Sequence, residues 1–286
     1  MNKLRAAIIG TGNIGTDLLL KAIRSLHIGS IVFIGRRYDS HGIKTAQNLG
    51  VKVSTLGIDY FLQNKNAFDV VFDCTDAFTA VDNFKVFKEQ GIKTIDLTPA
   101  KLGPLCVPYL NDDLIISEPN VNMITCGGQA SIPMLALISK HCDNLEYIEV
   151  VSQVASKSAG MATRINIDEY IGTTESAIKQ FTGTPDCKVI LNLNPADPCV
   201  DMQTTMFLKC NNINNDGLLL KIDNEIKRIN TYVPFYSLTS LPSVNDNDIL
   251  IISIKVKGCG DYLPPYAGNL DIINCAALKI SERLAI

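Results

Sequence analysis

No apolar run in the sequence approaches the ~18 residues that a membrane-spanning helix needs; the best segment is Ser131–Ser139. The first ten residues read as a strand entering a glycine turn, without the small-residue cleavage site of a secretory leader. Like charges never run to five in a row, and 26 Lys+Arg against 29 Asp+Glu give a formal charge of -3. So balanced a chain offers no grip to a nucleic-acid backbone or an anionic membrane. The cysteine count of nine is odd and includes no CxxC pair. That argues against a disulfide framework and a zinc site, and for thiols kept free in a reducing compartment. The expectation is a cytoplasmic protein with no metal, no nucleic-acid partner and no membrane span. Internal repeats and low-complexity tracts are missing too.

What is present is an ordinary globular composition: 286 residues, 47% hydrophobic and 19% charged, enough for one large or two modest domains. Short apolar runs at Leu4–Ile9, Ser30–Ile34, Val51–Ser54, Val70–Asp73, Thr94–Leu97 and Leu114–Ser117 predict strands. Helical spacing over Ile14–Leu26, Gly42–Leu49 and Phe78–Gln90 separates them. This alternation predicts an α/β, Rossmann-type doubly wound parallel sheet. From about Leu145 the pattern changes. Strands are predicted at Leu145–Ala155, Val189–Leu193, Thr204–Cys210 and Ile249–Val256, with helices at Asn166–Phe181 and Asp216–Asn230 and a polar turn at Asn211–Asn215. These predict an α+β domain with an open antiparallel or mixed sheet. Ala267–Leu284 is again helical.

Gly10-Thr11-Gly12-Asn13-Ile14-Gly15 follows the first strand and opens the first helix. In that context the glycines permit a tight turn and a close approach of a pyrophosphate to free N–H groups; without it they are only a glycine-rich turn. An NAD site usually places an Asp or Glu after the second strand, to hold the ribose. Here Arg36 and Arg37 stand there. Two guanidinium groups match a 2′-phosphate, which favours NADP over NAD, unless they are solvated surface arginines.

Cys126 precedes Gly127 and Gly128 and an apolar helical pattern running to Lys140. A thiol at a helix N-terminus meets unpaired N–H groups and the positive end of the dipole, which lower its pKa and prepare a nucleophile. The alternative is a core cysteine at a turn, the reading given to Cys74, Cys142 and Cys275.

The strings GTGNIGTDLL, DLTPAKLGPLCVPYLN, NVNMITCGGQASIPM, NIDEYIGTTESAI, LNLNPADP and LPPYAGNLDI, with the segment Ser156–Arg164, run the length of the chain. Together they resemble the acylating acetaldehyde dehydrogenases, the partners of 4-hydroxy-2-oxovalerate aldolase. The resemblance implies a dinucleotide-binding domain over residues 1–125 with the C-terminal helix 268–286. It also implies a catalytic and dimerisation domain over 126–267, similar to that of glyceraldehyde-3-phosphate dehydrogenase. The implied reaction oxidises a short-chain aldehyde to its acyl-CoA with reduction of NAD or NADP. A Cys126 thiohemiacetal passes hydride to the nicotinamide, and the acyl thioester transfers to coenzyme A. By the family pattern the cofactor site comprises Gly10 to Gly15, the loop Ser156, Lys157, Ser158, Ala159, Gly160, Met161, Ala162, Thr163 and Arg164, and Asn269. The Asn269 amide is suited to a nicotinamide or a developing oxyanion, and equally to capping the last helix. A homodimer and an aldolase partner are implied as well.

A general base is harder to assign. The three histidines are His27, His41 and His141, and His141 lies roughly 20 Å along the helix that Cys126 opens, where it caps the C-terminus. Relatives carry an Asp where this chain has Thr204, and threonine is no base near pH 7. Either the helix dipole generates the thiolate, or Asp201 or Asp197 serves, or activity is impaired. Arg37 for Asp, Met161-Ala162 for Pro-Gly and a shortened segment between Tyr236 and Lys255 are further departures, bearing on cofactor choice, loop closure and the subunit or aldolase contact. The alternatives are a thioester reductase for a larger acyl group and a catalytically impaired dinucleotide-binding regulatory protein.

Overall fold

The computed structural model describes residues 3–213 and 217–285. The chain divides into two compact units, residues 1–124, 160–169 and 273–286, and residues 125–159 and 170–272.

The first unit runs β1 (Leu4–Ile9), α1 (Asn13–Ala22), β2 (Ile28–Ile34), α2 (His41–Asn48), β3 (Lys52–Ser54), α3 (Asp59–Gln63), β4 (Val70–Asp73), α4 (Ala77–Glu89), β5 (Lys93–Asp96), α5 (Leu114–Ser117) and β6 (Asn120–Asn122). Its six strands are all parallel in the order β3-β2-β1-β4-β5-β6. That is the doubly wound order with its switch point beside β1, as expected. Burial on both faces makes the central strands apolar throughout: all four residues of β4 and five of the six in β1 are buried.

Leu114–Ser117, expected as the sixth strand, is instead the short helix α5, with Ile115 buried and Ile116 exposed. The sixth strand is Asn120-Val121-Asn122, whose two polar residues hid it. Asn122 is fully buried because its groups are matched: Nδ2 donates to Asp96 Oδ2 at 3.0 Å and to the Thr98 carbonyl at 2.7 Å, while Oδ1 accepts the Ile124 N–H. The five-residue α3 was not predicted; it brings Tyr60 and Phe61 into an aromatic cluster with Phe68 and Phe87.

The second unit begins with α6 (Cys126–Ile138) and β7 (Cys142–Ala155); α7 (Met161–Ile165) returns to the first unit, and α8 (Ile167–Thr182) follows. Then come β8 (Asp186–Asn194), β9 (Met202–Ile213), α9 (Leu218–Ile229), β10 (Tyr236–Leu238), β11 (Ser243–Val244), β12 (Ile249–Val256) and α10 (Gly268–Ser281). The sheet order is β10-β12-β9-β7-β8 with β11 on β12. β7 and β8 pair in parallel and the other neighbours antiparallel, so the sheet is mixed. Of the predicted polar turn Asn211–Asn215, the part up to Ile213 continues β9. Asn214, Asn215 and Asp216, where a helix was expected to start, lie outside the described residues.

The C-terminal part of α10 is held in the first unit by a buried polar lock. Lys21 Nζ donates to both Asp17 oxygens at 3.0 and 2.8 Å, and Asn274 Nδ2 donates to Asp17 Oδ2 at 2.7 Å and to the Ile14 carbonyl at 3.1 Å. Breaking a buried ion pair from one side strands a charge, at about 3–5 kcal/mol. Asp17→Ala is expected to lower stability by that order in a urea titration, and Asp17→Ala combined with Lys21→Met by less.

Asp73 and Asp96, paired across β4 and β5, are both buried. Burial and the neighbouring Asp73 push the Asp96 carboxyl up to about 7, so the folded pair keeps a proton that an unfolded carboxylate loses near pH 4. The folded state then binds more protons than the unfolded between pH 4 and 7, and stability falls as pH rises through that window. Asp96→Asn is expected to flatten this slope in urea midpoints measured from pH 4 to 8.

Candidate functional site

The glycine turn follows β1 directly. Gly10 has φ +105°, and a Cβ there would lie 2.4 Å from the Cys74 carbonyl oxygen; one on Gly15 would lie 1.9 Å from the Gly10 oxygen. Both positions therefore require glycine. At Gly12, by contrast, a Cβ would meet nothing within 4 Å. The space above it opens into a cleft of about 580 Å³ at the C-terminal ends of β1, β2 and β4. Gly10, Thr11 and Gly12 line it from the first turn, Gly35, Arg36 and Arg37 from the second, Cys74 and Thr75 from the fourth strand, and Met161, Ala162 and Ile165 from α7. Arg36 and Arg37 are exposed, and among the described residues no ion pair engages either guanidinium. The turn after β2 brings no carboxylate to the cleft lining.

Of the other predicted cofactor residues, Asn13, Ile14 and Gly15 form the first turn of α1. Gly160 stands beside Asn13 and caps α7, which contains Thr163 and Arg164. Ser156 to Ala159 belong to the second unit, where they form the turn leaving β7. Ser156 N–H donates to the Asn194 carbonyl at 2.7 Å, Ser158 Oγ donates to the Ala155 carbonyl at 2.8 Å, Lys157 pairs with Asp197 at 3.7 Å, and Ala159 is buried. Sequence reasoning missed Ile165, Gly57, Thr79 and Asn83 as cleft residues, since nothing local marks a wall built by distant segments.

Cys126 is the first residue of α6, partly buried, in the second unit. The N–H groups behind it are paired, against expectation. Thr125 Oγ1 caps the helix by accepting the Gly128 N–H at 2.9 Å, and the Tyr170 hydroxyl accepts the Gly127 N–H at 3.0 Å. That hydroxyl lies 3.6 Å from Cys126 Sγ. Burial raises the thiol pKa, the reverse of the expected direction; the Tyr170 hydroxyl and the Gly127 N–H act against burial. Tyr170 was not singled out in the sequence, being one aromatic on an amphipathic helix.

Asn269 sits in the first turn of α10, 7% exposed, and its Oδ1 has no hydrogen-bond partner. It caps no N–H group, so the capping reading falls. A buried acceptor without a donor is costly and suits a ligand amide or hydroxyl. His141 does what was expected of it: Nδ1 donates to the Leu137 carbonyl at 3.0 Å at the end of α6, leaving Nε2 to accept from Lys221 at 2.7 Å. His27 bridges Ser25 and Ser281 in the first unit, and His41 opens α2. Elsewhere in the second unit, Cys259, Asp261 and Asp271 bring one ligand atom each within 4.8 Å of one another, but Asp271 Oδ1 is already engaged by the Cys259 N–H at 3.1 Å.

These parts define a dehydrogenase-type fold with a cysteine at a helix start. A probable aspartate-semialdehyde dehydrogenase from Pseudomonas aeruginosa shares the fold at TM-score 0.67 and 12% identity, covering 99% of this chain and 97% of its own. Aspartate semialdehyde dehydrogenase II from Vibrio cholerae does so at TM-score 0.68 and 12% identity, covering 99% and 98%. The family described as prokaryotic acetaldehyde dehydrogenase, dimerisation, matches residues 126–264. The acetaldehyde dehydrogenase of Spirochaeta aurantia is 49% identical over 282 residues, 99% of this chain and 95% of that protein. That of Pectobacterium atrosepticum is 47% identical over 285 residues, 99% and 96%. The chain belongs to the acetaldehyde dehydrogenase family.

A Cβ on Gly127 would lie 2.2 Å from the Tyr170 hydroxyl and 2.5 Å from Ser152 Oγ, both buried. Gly127→Ala is expected to cost about 1–3 kcal/mol by overpacking, measured as a lowered urea midpoint.

Proposed function

We propose that this chain is an NAD(P)-dependent acylating aldehyde dehydrogenase that converts a short aldehyde and coenzyme A into the acyl-CoA. The observation that carries the reading is Cys126, at the start of α6 within the family-matched segment and in reach of a buried hydroxyl. Cys126 Sγ adds to the aldehyde carbonyl to give a thiohemiacetal, and oxidation leaves an acyl thioester on the same sulfur. The coenzyme A thiol then takes the acyl group and releases the cysteine. A bound nicotinamide supplies the hydride acceptor.

The open space above Gly12 and the width of the cleft fit a pyrophosphate held by the start of α1. Arg36 and Arg37 would hold a 2′-phosphate, so NADP is the favoured cofactor. The unsatisfied Asn269 Oδ1 fits a carboxamide N–H. Residues 1–125 with 268–286 serve the dinucleotide, and residues 126–267 serve catalysis and homodimer formation; an aldolase partner follows from the family resemblance alone. Nine free thiols support a reducing, cytoplasmic location, and among the described residues no helix is long and apolar enough to cross a membrane.

The test is absorbance of reduced nicotinamide when the purified protein meets propanal and coenzyme A, with NAD and NADP in parallel. Turnover that Cys126→Ser abolishes is the expected result. Arg36→Ala with Arg37→Ala is expected to raise KM for NADP roughly ten- to hundredfold, the loss of one or two charge-assisted bonds, with little change for NAD. Normal dinucleotide binding without turnover would support the larger-substrate reductase or the impaired binding protein instead.

A further inference from the structure

The buried face of the second sheet is apolar by alternation: Ile148, Val150 and Val154 on β7, and Met202, Met206 and Leu208 on β9. Two hydroxyls interrupt it. Ser152 and Thr204 are register partners, each 1% exposed, with their oxygens 3.1 Å apart. Buried hydroxyls need partners, and the next one is the Tyr170 phenol, whose oxygen converges with Ser152 Oγ on the point where a Cβ of Gly127 would stand, 2.2 and 2.5 Å from it. The missing Cβ of Gly127 is what lets both side chains reach this point.

The donor directions follow from the neighbours. Thr174 Oγ1 donates to the Tyr170 carbonyl at 2.7 Å, so the 2.8 Å contact between Thr174 and Thr125 is donated by Thr125. The Thr125 hydrogen is thereby committed away from the phenol. The phenol oxygen accepts the Gly127 N–H. One acceptor position on the phenol is thus taken by a backbone N–H, and its own hydrogen faces Cys126 Sγ, 3.6 Å from the phenol oxygen. Burial and the adjacent thiol hold the phenol well above its ordinary pKa, so it keeps that hydrogen. The groups that act on Sγ are this hydroxyl and the N–H groups of Gly127 and Cys126, all neutral.

We propose that Tyr170 is the hydrogen-bond donor that stabilises the Cys126 thiolate, oriented by the positioning residues Ser152 and Thr204. The relay is uncharged and occupies the place where the family pattern puts an Asp at position 204. Chained donors polarise one another, so each link strengthens the last. The inference rests on the reading of Cys126 as the nucleophile.

The test is the pH profile of iodoacetamide alkylation, with each cysteine followed by peptide mass mapping in the full-length protein. Cys126 is expected to react faster at neutral pH than the buried Cys74, Cys106, Cys187 and Cys210. Tyr170→Phe should move its apparent pKa up by about one unit, roughly a tenfold loss of rate at pH 7. Ser152→Ala and Thr204→Val should each move it in the same direction by less, and they provide the reading should Tyr170→Phe fail to fold. A privileged Cys126 whose profile coincides in wild type and in every folded variant overturns this inference alone. A Cys126 no more reactive than those four buried cysteines overturns the nucleophile reading and this inference with it.

Discussion

A methyl group at position 127 would stand 2.2 Å from one hydroxyl and 2.5 Å from another, and the absence of that group allows three elements of the second unit to meet. The start of α6, the buried face of β7 and the first buried residue of the second-unit part of α8 converge on a space too small for any Cβ. Tyr170 and Thr125 between them satisfy the Gly127 and Gly128 N–H groups. The helix thus enters the interior with the Gly127, Gly128 and Gln129 N–H groups paired, as its buried residues from Gly127 to Ile138 require. The cost falls on the thiol, which loses solvent and rises in pKa.

The first unit answers a related problem at the ends of its parallel strands. Asp73, Asp96 and Asn122 finish three neighbouring strands with buried polar side chains. Each is met by a local donor or acceptor: Asp73 by Thr75 and Asn83, Asp96 by Thr98 and Asn122. Polar groups in that position fix the loops that follow, and the loop after β4 lines the cleft. The glycine turn is held in the same region, with Gly10 pressed on the Cys74 carbonyl.

The order of elements was legible in the sequence because periodicity and glycine placement are local signals. β1, the glycine turn and α1 lie where the pattern puts them, as do β4, β12 and the helix behind Cys126. The errors arose where tertiary partners override local character. Asn120 and Asn122 make a buried strand that reads as a polar loop, while Leu114–Ser117 reads as a strand and folds as a turn of helix. At the site, Cys126 announces itself by its glycines, but its surroundings do not. Tyr170 is 44 positions away and Ser152 is 26. The only sequence signal of Ser152 and Thr204 is a hydroxyl at a buried position of an alternating strand, Val150-x-Ser152-x-Val154 and Met202-x-Thr204-x-Met206. Thr204 drew notice only as a departure from the family pattern, and its contact with Ser152 needed the register of β7 against β9.

The proton kept between Asp73 and Asp96 bears on what the cleft can host. Two full negative charges under its floor would repel an incoming anion at short range through a medium of low polarisability. Burial and the neighbouring Asp73 push the Asp96 carboxyl up to about 7, which lowers that repulsion. The guanidinium groups at the rim and the N–H groups of the first turn then act against the Asp76 carboxylate, which lines the same cleft. The carboxyls still hold Thr75, Asn83 and Thr98 in place. The strand ends therefore gain the rigidity of acidic side chains without presenting their full charge to whatever binds above.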